Sequence, residues 1–452
     1  MKCSEKDELS QPMQPTILIF SLFLDFLQEA IEKIKDPRSK SNATKLKISD
    51  AVLSGFSMFF MQSQSFLEYQ RQLQSRSGKD NVQSIFGVDK IPSDQQIRNI
   101  LDLISATSLN VVFERIYQFL QNGKHLKRYE RLEKNLLICL DGTEYHSSSK
   151  ISCECCSTRN HRNGKVTYSH TAILPVIAAP NCAEVISLPP EFVTPQDGHG
   201  KQDCETAAAK RWISKHRHLF QGQSITLLGD DLYSRQPMCQ HCLDAGMNFI
   251  FTCLPTSHSS LYEWLDYLEK NGEVQHLTTK HRKGKSIEIY TYRFVNQIPL
   301  REQEPSLLVN WCELTVRNSV DNSVVFHNAF VTNHSLNIDN IAEVVESGRC
   351  RWKTENENHN VLKTKGYNLE HNFGHGQKHL SSTFLSLNLL AFLFHTILQL
   401  IDSSYQEIRR KRGTRRGFFQ DILSLTKYFI FKSWEHLIEF MLGDAPVFPD
   451  SG

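Results

Sequence analysis

What this sequence most lacks is net charge. Its 51 lysines and arginines almost cancel 49 aspartates and glutamates, leaving a formal charge of +2 over 452 residues. That excludes a chain that coats nucleic acid by bulk charge, so any nucleic-acid surface has to come from local patches. Internal repeats and low-complexity tracts are missing as well, which excludes solenoids and disordered repeats. The opening Met1-Lys-Cys-Ser-Glu-Lys-Asp-Glu8 is mixed in sign, and the apolar run after it holds Asp25, unlike a secretory leader. The twelve cysteines are scattered rather than framed, so reduced thiols in a cytoplasm are expected. The best candidate for a membrane span, Phe384 to Leu400, is interrupted by Asn388, His395 and Gln399. A buried core helix, with no membrane partner, is the expectation there.

What is present reads in blocks. Helical spacing over Thr16 to Lys35, Ser49 to Phe66, Ser93 to Ile104 and Ser108 to Gln121 predicts an all-α domain over residues 1–134. Its basic exit carries Lys124, Lys127, Arg128 and Arg131. From Leu136 the pattern shifts to short apolar runs: Leu136–Leu140, Thr167–Ile177, Glu184–Leu188, Ser224–Leu228 and Asn248–Cys253. Helices over Asp203–His216 and Ser234–Gly246 alternate with these runs, an α/β order that defines residues 135–257 as the first part of a core. Residues 258–323 predict a β-rich insertion with a basic tip, Lys280-His-Arg-Lys-Gly-Lys285. The core resumes over 324–400, with a strand at Val324–Thr332 and helices at Arg351–Lys365 and Leu380–Leu400. Residues 401–452 read as a basic tail.

Three places in these blocks carry acids. Asn135-Leu-Leu-Ile-Cys-Leu-Asp-Gly-Thr-Glu-Tyr145 is an apolar run that ends on Asp141, followed at once by Gly-Thr. Leu227-Leu-Gly-Asp-Asp-Leu-Tyr233 repeats that layout with Asp230 and Asp231. Arg351-Trp-Lys-Thr-Glu-Asn-Glu357 sets Glu355 and Glu357 on a predicted helix, about 200° apart, so they cannot share one face. Singly, Asp-Gly after a strand is an ordinary turn and Asp230-Asp231 an ordinary helix cap. Together they suit phosphodiester chemistry, where two divalent ions held by carboxylates activate a nucleophile and neutralise phosphate charge.

Taken in order, these residues resemble the DDE-type transposases of bacterial insertion sequences. Leu140-Asp-Gly-Thr143 is similar to the family's first catalytic strand, and Leu228-Gly-Asp-Asp-Leu-Tyr-Ser234 to the second. There the family sets its aspartate three residues before an aromatic, which selects Asp230. Phe330-Val-Thr-Asn333 resembles the strand before the last helix, and Arg351-Trp-Lys-Thr-Glu355 the segment with the third acid. The chain departs from the family at Gly348, where a tyrosine is usual, and at Leu362, where a lysine is usual; Lys363 follows. The resemblance covers about Leu136 to Leu400. It implies an α/β fold: an RNase H-like mixed-sheet catalytic core with an inserted β-rich subdomain, behind an all-α domain that binds DNA ends.

It further implies a transposase that cuts DNA at element ends and joins it to target DNA. Asp141, Asp230 and Glu355 would be catalytic and would hold two Mg ions, with Mn able to substitute. Asp231 and Glu357 stand as alternatives. Partners would be terminal inverted repeats, target DNA and a second copy of the chain, in a bacterial cytoplasm at the nucleoid. Two other readings stay open: an inactive or regulatory DNA-binding derivative, and an RNase H-like nuclease without strand joining.

Basic residues supply the expected DNA contacts: Arg351 one helical turn before Glu355, Lys363 two turns after it, Lys280, Arg282 and Lys283 at the tip, and Arg409 and Arg410 in the tail. Trp352 reads as core, and Tyr367, Glu370, His371 and His375 as a polar cluster along the DNA path. Cys153 and Cys156 have the spacing with which two thiolates grip zinc, with His170 nearby. Cys239 and Cys242 repeat the spacing and offer a second pair.

Overall fold

The computed structural model describes residues 18–39, 46–63, 65, 68–69, 71–72, 75–195, 204–284 and 286–443. Helices open the chain: α1 (Ile19–Glu32), α2 (Ile48–Phe60), α3 (Arg76–Phe86), α4 (Asp94–Leu101) and α5 (Asn110–Asn122). Apolar residues at three- and four-residue spacing make these helices one-sided; α1 buries Phe20, Phe23, Leu24, Leu27 and Ile31. Ser93 and Gln96 close a capping box at the start of α4. Helix α3 went unread in the sequence because its apolar residues are few, and it is held by partners far along the chain. Asn81 on α3 bonds the carbonyls of Thr426 and Phe429 at 2.8 Å each.

Strands follow: β1 (Glu130–Arg131), β2 (Asn135–Cys139), β3 (Gly142–Ser148), β4 (Ser157–Asn160), β5 (Val166–Ile173), β6 (Val176–Ala178), β7 (Ile186–Ser187) and β8 (Glu191–Val193). Then come α6 (Glu205–His216), β9 (Ile225–Gly229), α7 (Gln236–Asp244), β10 (Asn248–Thr252) and α8 (Ser259–Lys270). Strands β11 (Gln275–Lys283), β12 (Ser286–Pro299), β13 (Leu308–Asn318) and β14 (Val324–Thr332) precede α9 (Ile341–Arg349). A π-helical turn, Thr354–His359, leads into the short α10 (Asn360–Thr364).

The strands form a ten-stranded mixed sheet, ordered β11-β12-β13-β14-β10-β9-β2-β6-β7 with β1 on β2, and a four-stranded sheet of β3, β5, β4 and β8. At the centre of the large sheet, β2, β9 and β10 run parallel, and the strands on either side of them are antiparallel. Every residue of β2 and β9 is buried, as continuous apolar runs between covered faces require. The single strand expected over Thr167–Ile177 is two. Pro175 lacks the N–H needed to continue the ladder, and β5 and β6 on either side of it join different sheets.

The strands of the expected β-rich insertion, β11, β12 and β13, extend the central sheet, because β13 pairs with β14, which pairs in turn with β10 (Ile250↔Thr332).

The last helices are α11 (Leu380–Ile401), α12 (Ser403–Arg412), α13 (Arg415–Tyr428) and α14 (Trp434–Leu442). They correct the expected tail. Residues 403–442 are helices packed on the N-terminal bundle, where Trp434 lies 5.2 Å from the Phe20 ring and Ser21 bonds Glu435 at 2.9 Å. Helix α11 is apolar on all sides because it is covered on all sides; Phe394 meets Phe20, Phe23 and Phe56. Its N-terminus is capped from another helix end. Asp102 accepts the backbone N–H groups of Gln377, Lys378, His379 and Leu380 at 3.0–3.2 Å.

Candidate active site

Register fixes where the first two acids emerge. Leu136 pairs with Ile225 and Cys139 with Leu228, so the parallel neighbours β2 and β9 end together. The Leu140 N–H still donates to the Leu228 carbonyl at 2.8 Å. Asp141 and Asp230 therefore leave the sheet at the same edge, each just past its strand. Asp230 turns its carboxylate to cap its own loop, accepting the Leu232 N–H at 2.9 Å. Asp231 is committed elsewhere: it accepts the Leu254 N–H at 2.7 Å and the Ser257 hydroxyl at 2.6 Å, on the loop after β10.

Asp141 is largely covered, its side chain 16% exposed. Burial pushes its carboxyl up to about 7; Arg351 pulls against that, and the charges of Glu205, Asp230 and Glu355 add to it. The charges that act on Asp141 are thus those of three acids and one guanidinium. His359 joins them, with Nδ1 3.5 Å from Asp141 Oδ2. Burial, then the charges of Lys363 and Arg351, push His359 down to about 4, so the ring facing Asp141 is neutral. Its Nε2 is buried and has no hydrogen-bond partner among the described residues.

Glu355 belongs to the π-helical turn. It is 58% exposed and pairs with Arg351 at 3.1 Å. A π-helical turn replaces the α-helix expected over Thr354–His359, and across it Glu355 and half-buried Glu357, two residues apart, still point to different sides. Glu355 is the one whose charge acts on Asp141. Gly348, where the resemblance leads one to expect a tyrosine, has no space for a side chain: a Cβ there would lie 2.9 Å from both Ile250 and Phe330. Leu362 is wholly buried, which leaves the cationic position to Lys363.

Two members of the group escaped sequence reading. Glu205 begins α6, where an acid passes for an ordinary helix start. In the fold its Oε1 accepts the Gly142 N–H at 3.2 Å and the Tyr233 hydroxyl at 2.8 Å. It thereby ties the loop after β2 to the loop after β9. A Cβ at Gly142 would come within 2.6 Å of the Glu205 carboxylate and push that side chain off its bonds. His359 had no sequence signal, since its link to Asp141 exists only in the tertiary fold.

The basic residues separate. Lys363 pairs with Glu370 at 2.8 Å and lines a groove of about 760 Å³ with Lys365, Arg415 and Arg416. Lys280 and Arg282 alternate with Lys283 along exposed β11, so they share a face that Lys283 does not. Lys283 lies 3.4 Å from Glu288, and Lys285 falls outside the described residues. Arg410 is exposed, whereas Arg409 is half-buried with its guanidinium over Phe418 at 5.4 Å. Trp352, expected in the core, is 45% exposed beside the Lys353 ammonium. The expected polar cluster divides: Tyr367 is buried and meets Arg415, Glu370 takes Lys363, and His375 turns toward the cysteines.

Around Cys153 and Cys156 a second site forms. Their Sγ atoms lie 3.8 Å apart, and the His170 and His375 Nε2 atoms join them. Cys239 and Cys242 take no part, being fully buried in α7, where Cys239 faces the Ser234 carbonyl.

No family model and no curated protein matches the sequence. Among solved structures the chain is similar to a cryo-EM structure of a piggyBac transposase synaptic complex with hairpin DNA. The alignment covers 96% of this chain and 80% of that one, at 10% identity and a TM-score of 0.40.

Proposed function

We propose that this chain is a metal-dependent DNA transposase of the DDE type, with Asp141, Asp230 and Glu355 as its catalytic acids. The observation that carries the reading is the pair of adjacent parallel strands, β2 and β9, each ending on an aspartate beside the Arg351–Glu355 turn. The donor set suits the metal. Three carboxylates act on Asp141 with one guanidinium against them, and burial, with their repulsion, keeps Asp141 up at about 7. A hard divalent cation with a preference for oxygen is the counter-charge such a group needs, and thiolates, which magnesium avoids, are absent from it.

Asp141, Asp230 and Glu355 would hold Mg, or Mn in its place. Ions bound there supply an activated nucleophile and relieve charge on the scissile phosphate. The chain's own residues do the rest. Glu205 holds the two aspartate loops in register through Gly142 and Tyr233. Arg351, restrained by Glu355, is placed to clamp a non-bridging phosphate oxygen. The groove of Lys363, Lys365, Arg415 and Arg416 takes the DNA backbone, with salt-dependent affinity. Cleavage places water's oxygen on phosphorus and frees a 3′-hydroxyl; that hydroxyl then attacks a target phosphodiester, expelling its 3′-oxygen. Pairing two DNA ends calls for two copies of the chain.

The test is incubation of purified protein with Mg or Mn and a plasmid holding the DNA that flanks its gene on both sides. Cleavage and joined products are expected from the natural chain, and neither from Asp141→Asn. Metal-dependent cleavage undiminished in Asp141→Asn would sink the proposal, and cleavage without joining would reduce it to a nuclease.

A further inference from the structure

The acids use neither the cysteines nor the buried histidines of the small sheet. Cys153 and Cys156 lie in the loop between β3 and β4, folded back on itself by a bond from the Cys156 N–H to the Cys153 carbonyl at 3.1 Å. His170 is on β5. His375 arrives from the loop ahead of α11, 219 residues beyond Cys156. The four candidate ligand atoms all lie within 4.8 Å of one another.

The individual separations carry more weight than the clustering. Cys153 Sγ to Cys156 Sγ is 3.8 Å, Cys153 Sγ to His170 Nε2 is 3.4 Å, and Cys156 Sγ to the Nε2 atoms of His170 and His375 is 3.5 Å each. Zinc–sulfur bonds of about 2.3 Å and zinc–nitrogen bonds of about 2.0–2.1 Å, set at tetrahedral angles, require S···S near 3.8 Å and S···N near 3.6 Å. The measured edges match both. Without a metal the packing is hard to justify: thiols are weak donors and weak acceptors, and here two of them and two imidazole nitrogens are sequestered together with little else to satisfy them. Cys156, His170 and His375 are buried, and Cys153 is half-buried.

We propose that Cys153, Cys156, His170 and His375 bind one zinc ion in a closed tetrahedral site that fastens the loop ahead of α11 to the small sheet. Two soft and two borderline donors select zinc over magnesium, and four protein ligands leave no open position, so the ion is structural rather than catalytic. The fastening spans three parts of the molecule. On its other side the same loop is held by the helical bundle: Arg98 donates to the Phe373 carbonyl at 3.0 Å, and Asp102 caps residues 377–380. Zinc thus closes the link between the bundle, the segment downstream of Glu355, and the sheet that starts at Gly142. His146, with its ring 4.2 Å from that of His375, is a neighbour and not a fifth ligand, since four donors complete the shell.

Metal analysis of the full chain, purified without chelator, tests this independently of any DNA chemistry. About one zinc per chain is expected in the natural protein and in Asp141→Asn and Cys204→Ser, and less than about a tenth of that in Cys156→Ser and His375→Ala. A zinc-free natural protein overturns the site, as does full zinc retention in His375→Ala or loss of zinc in Asp141→Asn. Should the ligand variants fail to fold, cobalt-substituted natural protein decides: intense tetrahedral ligand-field and thiolate charge-transfer bands support the site, and a weak octahedral spectrum refutes it.

Discussion

The acid group and the cysteine–histidine group are both clusters of metal-ligating residues, yet they are built by opposite means. Two of the acids come from strand ends that the sheet makes neighbours, and the others from a helix start and a π-helical turn. One of them, Glu355, is more than half exposed. The sulfur and nitrogen ligands come from two loops and one strand, and they are closed off from solvent except at Cys153. An open group of hard oxygens suits an exchanging substrate, and a closed group of softer donors suits a permanent fastening. Position in the fold, more than residue count, separates chemistry from construction.

Several substitutions can break or sharpen that contrast. The largest effect is expected at the open group: Asp141→Asn should lower metal-dependent cleavage by about a thousandfold, about 4 kcal/mol of transition-state stabilisation, with circular dichroism unchanged. At the closed group, His375→Ala should leave the metal dependence of cleavage intact but cost about 3 kcal/mol of stability, read as a lower urea midpoint. Glu205→Gln tests the tie between the two acid loops and should slow cleavage by roughly ten- to a hundredfold through misplacement, with no change in zinc content.

A smaller effect is expected from Asp231→Asn. It should weaken the bonds to Leu254 and Ser257 and cost about 1 kcal/mol of stability while cleavage continues. Should cleavage vanish instead, the choice of Asp230 falls.

The smallest effect concerns a buried imidazole that needs no metal. His395 Nε2 faces the Phe60 carbonyl at 2.9 Å and its Nδ1 faces the Tyr405 hydroxyl at 3.0 Å. Burial pushes it down to about 3, aided by Arg415 and Arg409 and opposed by the Phe60 bond. The folded state therefore holds fewer protons than the unfolded state between about pH 6.5 and 3, and this group's stabilisation is lost as pH falls through that window. From pH 7 to 6 the loss is about 0.7 kcal/mol, and His395→Gln should remove that share from the pH dependence of the urea midpoint.

The sequence made some of this legible and hid the rest for physical reasons. Asp141 and Asp230 could be read because a buried parallel strand is an uninterrupted apolar run with an abrupt polar end. The helix at Leu380 to Leu400 was equally plain. Local signals failed wherever a partner lay far off. Glu205 looks like any acid at a helix start until Gly142 and Tyr233 close on it. His375 belongs with two cysteines more than two hundred residues earlier, and no local spacing encodes that meeting. That the insertion's strands extend the central sheet stayed hidden because alternation marks a strand without saying which sheet it joins. The tail was misread because Arg409, Arg410 and their neighbours mask the apolar stripe of Tyr405, Ile408, Phe418 and Phe419 that docks it.

Helix α11 sets the schedule on which the chain can fold as it is made. Its most apolar stretch has a mean hydropathy of 1.9, enough by composition to cross a bilayer, and in the finished molecule 89% of that stretch is buried. Part of its cover, α1 and α2, leaves the ribosome long before it. More of it, α12, α13 and the Trp434 helix, is synthesised after it. Until those helices are added, at about 5–20 residues per second, the nascent chain leaves one side of this apolar rod uncovered. A chain cut short after Ile401 would keep that side exposed for good, and aggregation is the fate its composition assigns.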